Sequence, residues 1–262
     1  MNLARRVLVT VVVTVVAFVG VINWIAPAAL TFYSARKAPK ITHVVPTRLT
    51  DTSISQAHGE KLSYFGYEFE VPWNDLDPAQ TQFYPRGRPH PNRAILTFRS
   101  GLRLMVTAVP PGEWKGTLST EMKISTQQLE SAFGRDVTNS DYGFVKAIYE
   151  FTPDTMHYWN SQKTQSREQV LLILKSLAPL KSAETGIFNV NNQDFKGFQQ
   201  GDPGAAVDKV AVNLYSDAGS AEFIFFESGR KPPGITQPEI NRVIQSFRRV
   251  EPEPEALAHT SH

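Results

Sequence analysis

The sequence predicts an α+β fold: an antiparallel sheet covered by helices, with one N-terminal transmembrane helix ahead of it. Three features carry that expectation. Residues 7–30 form a long apolar stretch close to the N-terminus. Short segments of alternating apolar and polar residues stand at both ends of the remaining chain, with helically spaced segments between them. An amphipathic segment with its own start signal closes the pattern. Strands, then a helical layer, then strands and a last helix are the order expected of a sheet with helices packed on it.

The apolar stretch comes first. Residues 7–25 read VLVTVVVTVVAFVGVINWI, with Thr10, Thr14 and Asn23 as the polar interruptions. Extended through Leu30, the run exceeds the roughly 20 residues needed to cross a bilayer. Threonine hydroxyls can bond to carbonyls of their own helix, so they are tolerated in lipid. Trp24 and Tyr33 stand where an aromatic belt meets the headgroups. The small-residue sequence Ala26-Pro27-Ala28 also resembles a signal-peptidase site, so a cleaved leader is the competing reading. Pro27 and the length of the run favour an uncleaved, single-pass signal anchor. Arg5 and Arg6 precede the run, and Arg36, Lys37, Lys40 and Arg48 follow it. Flanking charge alone favours a cytoplasmic domain, but long domains translocate largely regardless of it. An extracytoplasmic domain is the expectation.

Four segments follow from this: an anchor over 1–33, a polar linker over 34–60, one globular domain over 61–250 and a disordered tail over 251–262. The linker carries Pro39, Pro46 and many Ser/Thr residues, and it spans at most about 80 Å when stretched. The tail, EPEPEALAHTSH, is acidic and interrupted by proline. Roughly 190 residues between them make one domain with a core large enough to need no staple.

Within the domain, Tyr67, Phe69 and Val71 alternate with Glu68 and Glu70, which predicts a strand with one apolar face. Residues 94–99 and 102–108 flank Ser100-Gly101 and read as a hairpin. A helical stretch over 118–134 ends at Gly134, and another over 141–149 places Val145, Ile148 and Tyr149 on one face. Thr152 before Pro153 reads as a helix start. Residues 166–178 carry Val170, Leu174 and Leu177 at helical spacing. Short strands are expected over 187–190, 195–200, 210–215 and 221–227. Thr236 and Glu239 form a capping box. Ile240, Val243, Ile244 and Phe247 then make an apolar helix face to lie on the sheet.

Two of these segments resemble a known family. Phe65-Gly66-Tyr67-Glu68-Phe69-Glu70-Val71-Pro72-Trp73 resembles the first strand of Mog1/PsbP-like domains. Residues 239–248, EINRVIQSFR, are similar to that family's last helix, whose Ser-Phe packs against the sheet. The resemblance covers about 25 residues at the two ends of the domain. The stretch from 118 to 179 departs from the family pattern. The resemblance implies a binding or accessory role, without a catalytic residue set.

Composition excludes several chemistries. The chain has no cysteine, so disulfides, zinc–thiolate sites, iron–sulfur clusters and a cysteine nucleophile are ruled out. Lys and Arg total 27 against 25 acidic residues, with no basic run of the kind that tracks phosphates, so no nucleic-acid partner is expected. Of the histidines His43, His58, His90, His157, His259 and His262, none stands at metal-ligand spacing. No G-x-S-x-G, P-loop or G-x-G-x-x-G motif occurs. No catalytic residue, cofactor or metal ligand is therefore assigned.

Two loops stand out. Residues 83–93, FYPRGRPHPNR, combine aromatics, prolines and arginines, and Arg86, Arg88, His90 and Arg93 are the candidate anion- or partner-binding residues. Guanidinium forks suit carboxylates and phosphates, so a lipid headgroup, an acidic glycan and an acidic protein partner all fit, as does a plain solvated connection. The glycines of residues 197–204 permit positive φ and close approach, for a ligand or for a tight turn. The functional expectation is a membrane-tethered, non-enzymatic binding or accessory module. The alternative is an envelope hydrolase with a site assembled from dispersed Asp, Glu and His.

Overall fold

A computed structural model describes residues 29, 32–33, 35–85, 92–113, 125–156, 162–177, 179–227 and 234–250. The chain divides into two compact units. One takes residues 1–45, 118–139 and 143–179, and the other takes 46–117, 140–142 and 180–262. The fold is α+β, with a large mixed sheet.

The second unit holds that sheet. Its strands are β1 (Pro46–Arg48), β4 (Gln82–Tyr84), β5 (Arg93–Thr97), β6 (Leu102–Val109), β7 (Ile187–Asn191), β8 (Lys196–Gln200), β9 (Lys209–Ser216) and β10 (Gly219–Glu227). They lie in the order β1-β7-β8-β9-β10-β6-β5-β4. Every neighbouring pair is antiparallel except β1 and β7, which run parallel with Pro46 opposite Ile187. That pair makes the sheet mixed where an all-antiparallel one was expected. A smaller sheet joins β2 (Glu60–Tyr64), β3 (Tyr67–Val71) and β11 (Arg248–Arg249) in the order β11-β3-β2.

The alternation in β3 is realised: Tyr67, Phe69 and Val71 are buried, while Glu68 and Glu70 point away and pair with Arg248 and Arg242. Phe98 and Leu102 close the β5–β6 hairpin around Ser100-Gly101, with the Phe98 N–H donating to the Leu102 carbonyl at 2.9 Å. The closing helix runs Gln237–Ser246, and the Thr236 N–H donates to Glu239 Oε2 at 2.7 Å in the expected capping box. Its buried face is Ile240, Val243 and Ile244, with Phe247 following. Phe247 meets Tyr67, Phe195 and Phe223 at ring-centroid distances of 4.9, 4.6 and 5.2 Å. One core thus joins the larger sheet, the smaller sheet and this helix.

The segment read as a linker is in part built into the fold. Residues Lys40–His43 form a 3₁₀ turn, and β1 adds to the sheet edge beside β7. Residues 49–59 run as a strap tied to the closing helix. Asn241 Nδ2 donates to the carbonyls of Asp51 and Ser53 at 2.9 and 2.8 Å, and the Ser55 N–H donates to the Pro238 carbonyl at 3.0 Å.

The first unit is helical among its described residues. Helix α1 is Thr126–Phe133, α2 is Arg135–Thr138, α3 is Asp141–Glu150 and α4 is Gln162–Leu177, so the closing helix is α5. Asp141 and Tyr142 of α3 belong with the second unit. Gly134 stops α1 as expected, at φ +85°. Thr152 and Pro153 start a helical turn as expected, the short 3₁₀ turn Pro153–Thr155. Helix α4 buries Leu174 as expected, but Leu177 is 73% exposed, and Glu168, Leu171, Leu172 and Lys175, at i, i+3, i+4 and i+7, are buried as well. Lys175 tolerates burial because its ammonium donates to the carbonyls of Tyr149, at 2.8 Å, and Phe151 at the end of α3. Those carbonyls lie at the negative end of a helix, where a cation is favoured.

The expected anchor over residues 7–30 lies, but for Ala29, outside the described residues, as does the tail over 251–262. Among the described residues no helix is long and apolar enough to cross a membrane.

Candidate functional site

Arg93 is the one member of the predicted arginine loop within the described residues; Arg86, Arg88 and His90 lie outside them. It opens β5 with its side chain exposed, and its Nε donates to Thr107 Oγ1 of β6 at 3.1 Å. Strand register extends this contact into a row. Arg93 stands opposite Thr107, and Thr107 opposite Glu222 of β10. Cross-strand partners share a face of the sheet, so the three polar groups lie side by side. Burial pushes the Glu222 carboxyl above the usual range, and attraction to Arg93 works against that rise.

The second predicted loop uses its glycines for backbone geometry. A Cβ on Gly197 would stand 2.0 Å from the Asn213 carbonyl oxygen, so β8 and β9 approach too closely for any side chain there. Gly201 takes φ +96° at the end of β8, and the Gly204 N–H is held by Asp202 Oδ1 at 2.8 Å. These contacts make the segment a tight turn at a strand end.

A groove that sequence reading did not anticipate lies at one end of the larger sheet, with a volume of about 470 Å³. Its floor is aromatic. Tyr142, in the first turn of α3, rests flat on Phe198 of β8, with centroids 5.4 Å apart and planes within 13°. Tyr215, near the end of β9, meets Tyr142 at 6.2 Å with the rings tilted by 54°. Lys196 opens β8 directly opposite Tyr215 and so stands on the same face. Asp194 comes from the β7–β8 connection, and Asp217 and Ala218 from the β9–β10 turn; Ser140 and Ser216 complete the wall.

This rim is held by the backbone. Asn192 Oδ1 accepts the N–H groups of Asp194 and Phe195, both at 2.9 Å, while its Nδ2 donates to the Ile244 and Phe247 carbonyls at 2.7 and 2.8 Å. Ser216 Oγ donates to the Gly219 carbonyl at 3.0 Å across the β9–β10 turn. The Gly112 N–H donates to Asp141 Oδ2 at 2.9 Å, fixing the residue beside Tyr142. The charged residues of the rim are open to solvent: Asp194, Asp217 and Lys196 are exposed and form no ion pair among the described residues.

Other concavities of the second unit differ in that respect. The groove between the strap and α5, about 360 Å³, is lined by Asn189, Asn191, Asn241 and Gln245. Asn189 donates to the Thr47 carbonyl, Asn241 to the strap and Gln245 to the Asn191 carbonyl, so these amides already hold the fold together. In the first unit, His43 Nδ1 lies 3.1 Å from Asp154 Oδ2, an exposed pair. Among the described residues no three His, Asp or Glu side chains converge as a metal site would require. Comparison of the chain with family models, with curated proteins and with solved structures finds no match.

Proposed function

We propose that this protein is a membrane-tethered, non-enzymatic binding module. Residues 7–30 hold it as a single-pass anchor, the folded residues stand outside the cytoplasm, and a ligand is taken in the groove over Tyr142 and Tyr215. The apolar run supports the tether, through its length and its lack of any charged residue. The observation that carries the binding reading is the rim of that groove. Lys196, Asp194 and Asp217 are mounted on braced backbone and form no ion pair among the described residues. Polar groups carried on braced backbone around an aromatic floor suit a recognition site, since little loop ordering remains to oppose binding.

The Arg93–Thr107–Glu222 row is a second polar surface of the same unit, and it does not line the groove. Glu222 is the described carboxyl displaced toward acid–base use, but its neighbour Arg93 is already engaged with Thr107. The row is therefore a weaker basis for a hydrolase than the groove is for binding.

The binding reading is tested by placing a photo-reactive amino acid at Ala218, on the exposed rim, in the full-length protein in intact cells. The expected result is a discrete adduct in the membrane fraction, absent when the same probe replaces exposed Lys181 instead. Equal, diffuse labelling from both positions would sink it.

A further inference from the structure

We propose that the groove over Tyr142 and Tyr215 is a saccharide-binding site, an inference that rests on the binding-module reading above. The ligand class follows from what the walls can and cannot satisfy. The floor offers an aromatic face: Tyr142 lies flat on Phe198, so its ring is braced from beneath, and Tyr215 closes one side at a tilt of 54°. The rim offers two carboxylates that only accept hydrogen bonds and one ammonium that only donates them.

Four ligand classes can be compared against that rim. An acyl chain or apolar peptide would cover three charged groups and give them nothing in return, which is costly. A phosphate or other anion would face Asp194 and Asp217 for the one cation Lys196, an unfavourable balance. A basic side chain would gain the carboxylates but crowd its charge against Lys196. A neutral polyhydroxylated ring satisfies all three groups at once. Neighbouring hydroxyls donate to each carboxylate, a ring or hydroxyl oxygen accepts from Lys196, and the ring's C–H face covers the tyrosine. Charge-assisted bonds of this kind are the strong ones. Solvent-facing hydroxyls cost nothing to leave in an open groove. The volume of about 470 Å³ also suits a ligand of that kind.

Register is what assembles the site. Lys196 and Tyr215 are directly opposite each other on β8 and β9, and the turns that follow β7 and β9 bring Asp194 and Asp217 to the same end of the sheet. The β8–β9 spacing is set in turn by Gly197, whose missing side chain lets the strands close.

The test uses the full-length protein in micelles of a detergent that is not a glycoside, such as an amine oxide. The β-1,4 tetramers of N-acetylglucosamine and of glucose are titrated by calorimetry. At least one tetramer is expected to bind, and Asp194→Ala and Asp217→Ala, both on exposed turns, are each expected to weaken it by about tenfold or more. Lys209→Ala, outside the groove, should leave affinity unchanged. Tyr142→Ala should abolish binding, and because it removes the stack on Phe198 its fold is checked first by circular dichroism. Absence of heat with both tetramers up to about 10 mM overturns the inference. So does binding that Asp194→Ala and Asp217→Ala leave intact. The Ala218 photoadduct separates the two failures. A protein adduct without saccharide binding leaves the binding module standing with a protein ligand, whereas no adduct and no heat removes both.

Discussion

Lys175 makes the folded protein more stable as pH rises above neutrality, a direction opposite to that of most lysines. Its side chain is fully buried, and burial pulls its ammonium down from 10.5 to about 8. The unfolded chain keeps the ordinary value, so between about pH 8 and 10.5 it binds more protons than the folded chain, and stability climbs with pH. Below pH 8 both states are protonated, and the desolvation penalty stands in full. From pH 7 to pH 10 the two values give a gain of about 2–3 kcal/mol. The neutral amine still has two N–H donors for the Tyr149 and Phe151 carbonyls, so deprotonation does not orphan them. The assay is urea unfolding of the full-length chain in micelles at both pH values, in the wild type and in Lys175→Met. Titrations elsewhere cancel in the difference. Wild type is expected to gain about 2–3 kcal/mol on Lys175→Met across that interval. Parallel pH dependences in the two proteins would refute the reasoning.

Three further outcomes follow from the geometry. Asn241→Ala removes the two hydrogen bonds that Nδ2 gives the strap, and should cost about 1–3 kcal/mol and speed hydrogen exchange at residues 51–55 specifically. Gly197→Ala drives a methyl group into the Asn213 carbonyl and should destabilise by about 1–3 kcal/mol or more, read as a lowered Tm. Arg93→Ala deprives Glu222 of the attraction that opposes its burial, so its carboxyl should titrate at higher pH than in wild type; carboxyl NMR that shows no rise would count against the row.

How much of this was legible in the sequence depends on how local each signal is. Strand β3 and helix α5 were readable because Tyr67, Phe69 and Val71, and Ile240, Val243 and Ile244, repeat at the period of their own element. The Thr236–Glu239 box is likewise a three-residue spacing. Strand β1 was not readable: it is three residues long, and its partner Ile187 lies 141 positions further on. The buried face of α4 was read only in part: Leu174 is buried, but Glu168 and Lys175 were missed because charged residues count as surface until a partner such as the Tyr149 carbonyl is known. Gly197 and Gly201 were recognised as permissive, yet only the approach of β9 reveals why Gly197 has to be glycine. The groove left no sequence signal. Tyr142, Asp194, Lys196, Tyr215 and Asp217 come from five separate segments, which strand register and the packing of Tyr142 on Phe198 gather. Arg93 was singled out for its loop, but its contacts to Thr107 and Glu222 are products of the same register.

The proposed tether would decide which ligands the groove can meet, so the most direct measurement concerns the tether. A C-terminally tagged full-length protein is expressed in bacterial cells, and protease is added to intact spheroplasts and to lysed cells. The account predicts that the protein sediments with membranes and that the tag is lost in intact spheroplasts, as it is for a signal anchor whose folded residues stand outside. A tag protected until lysis, or a protein released from membranes by alkaline carbonate, would contradict it.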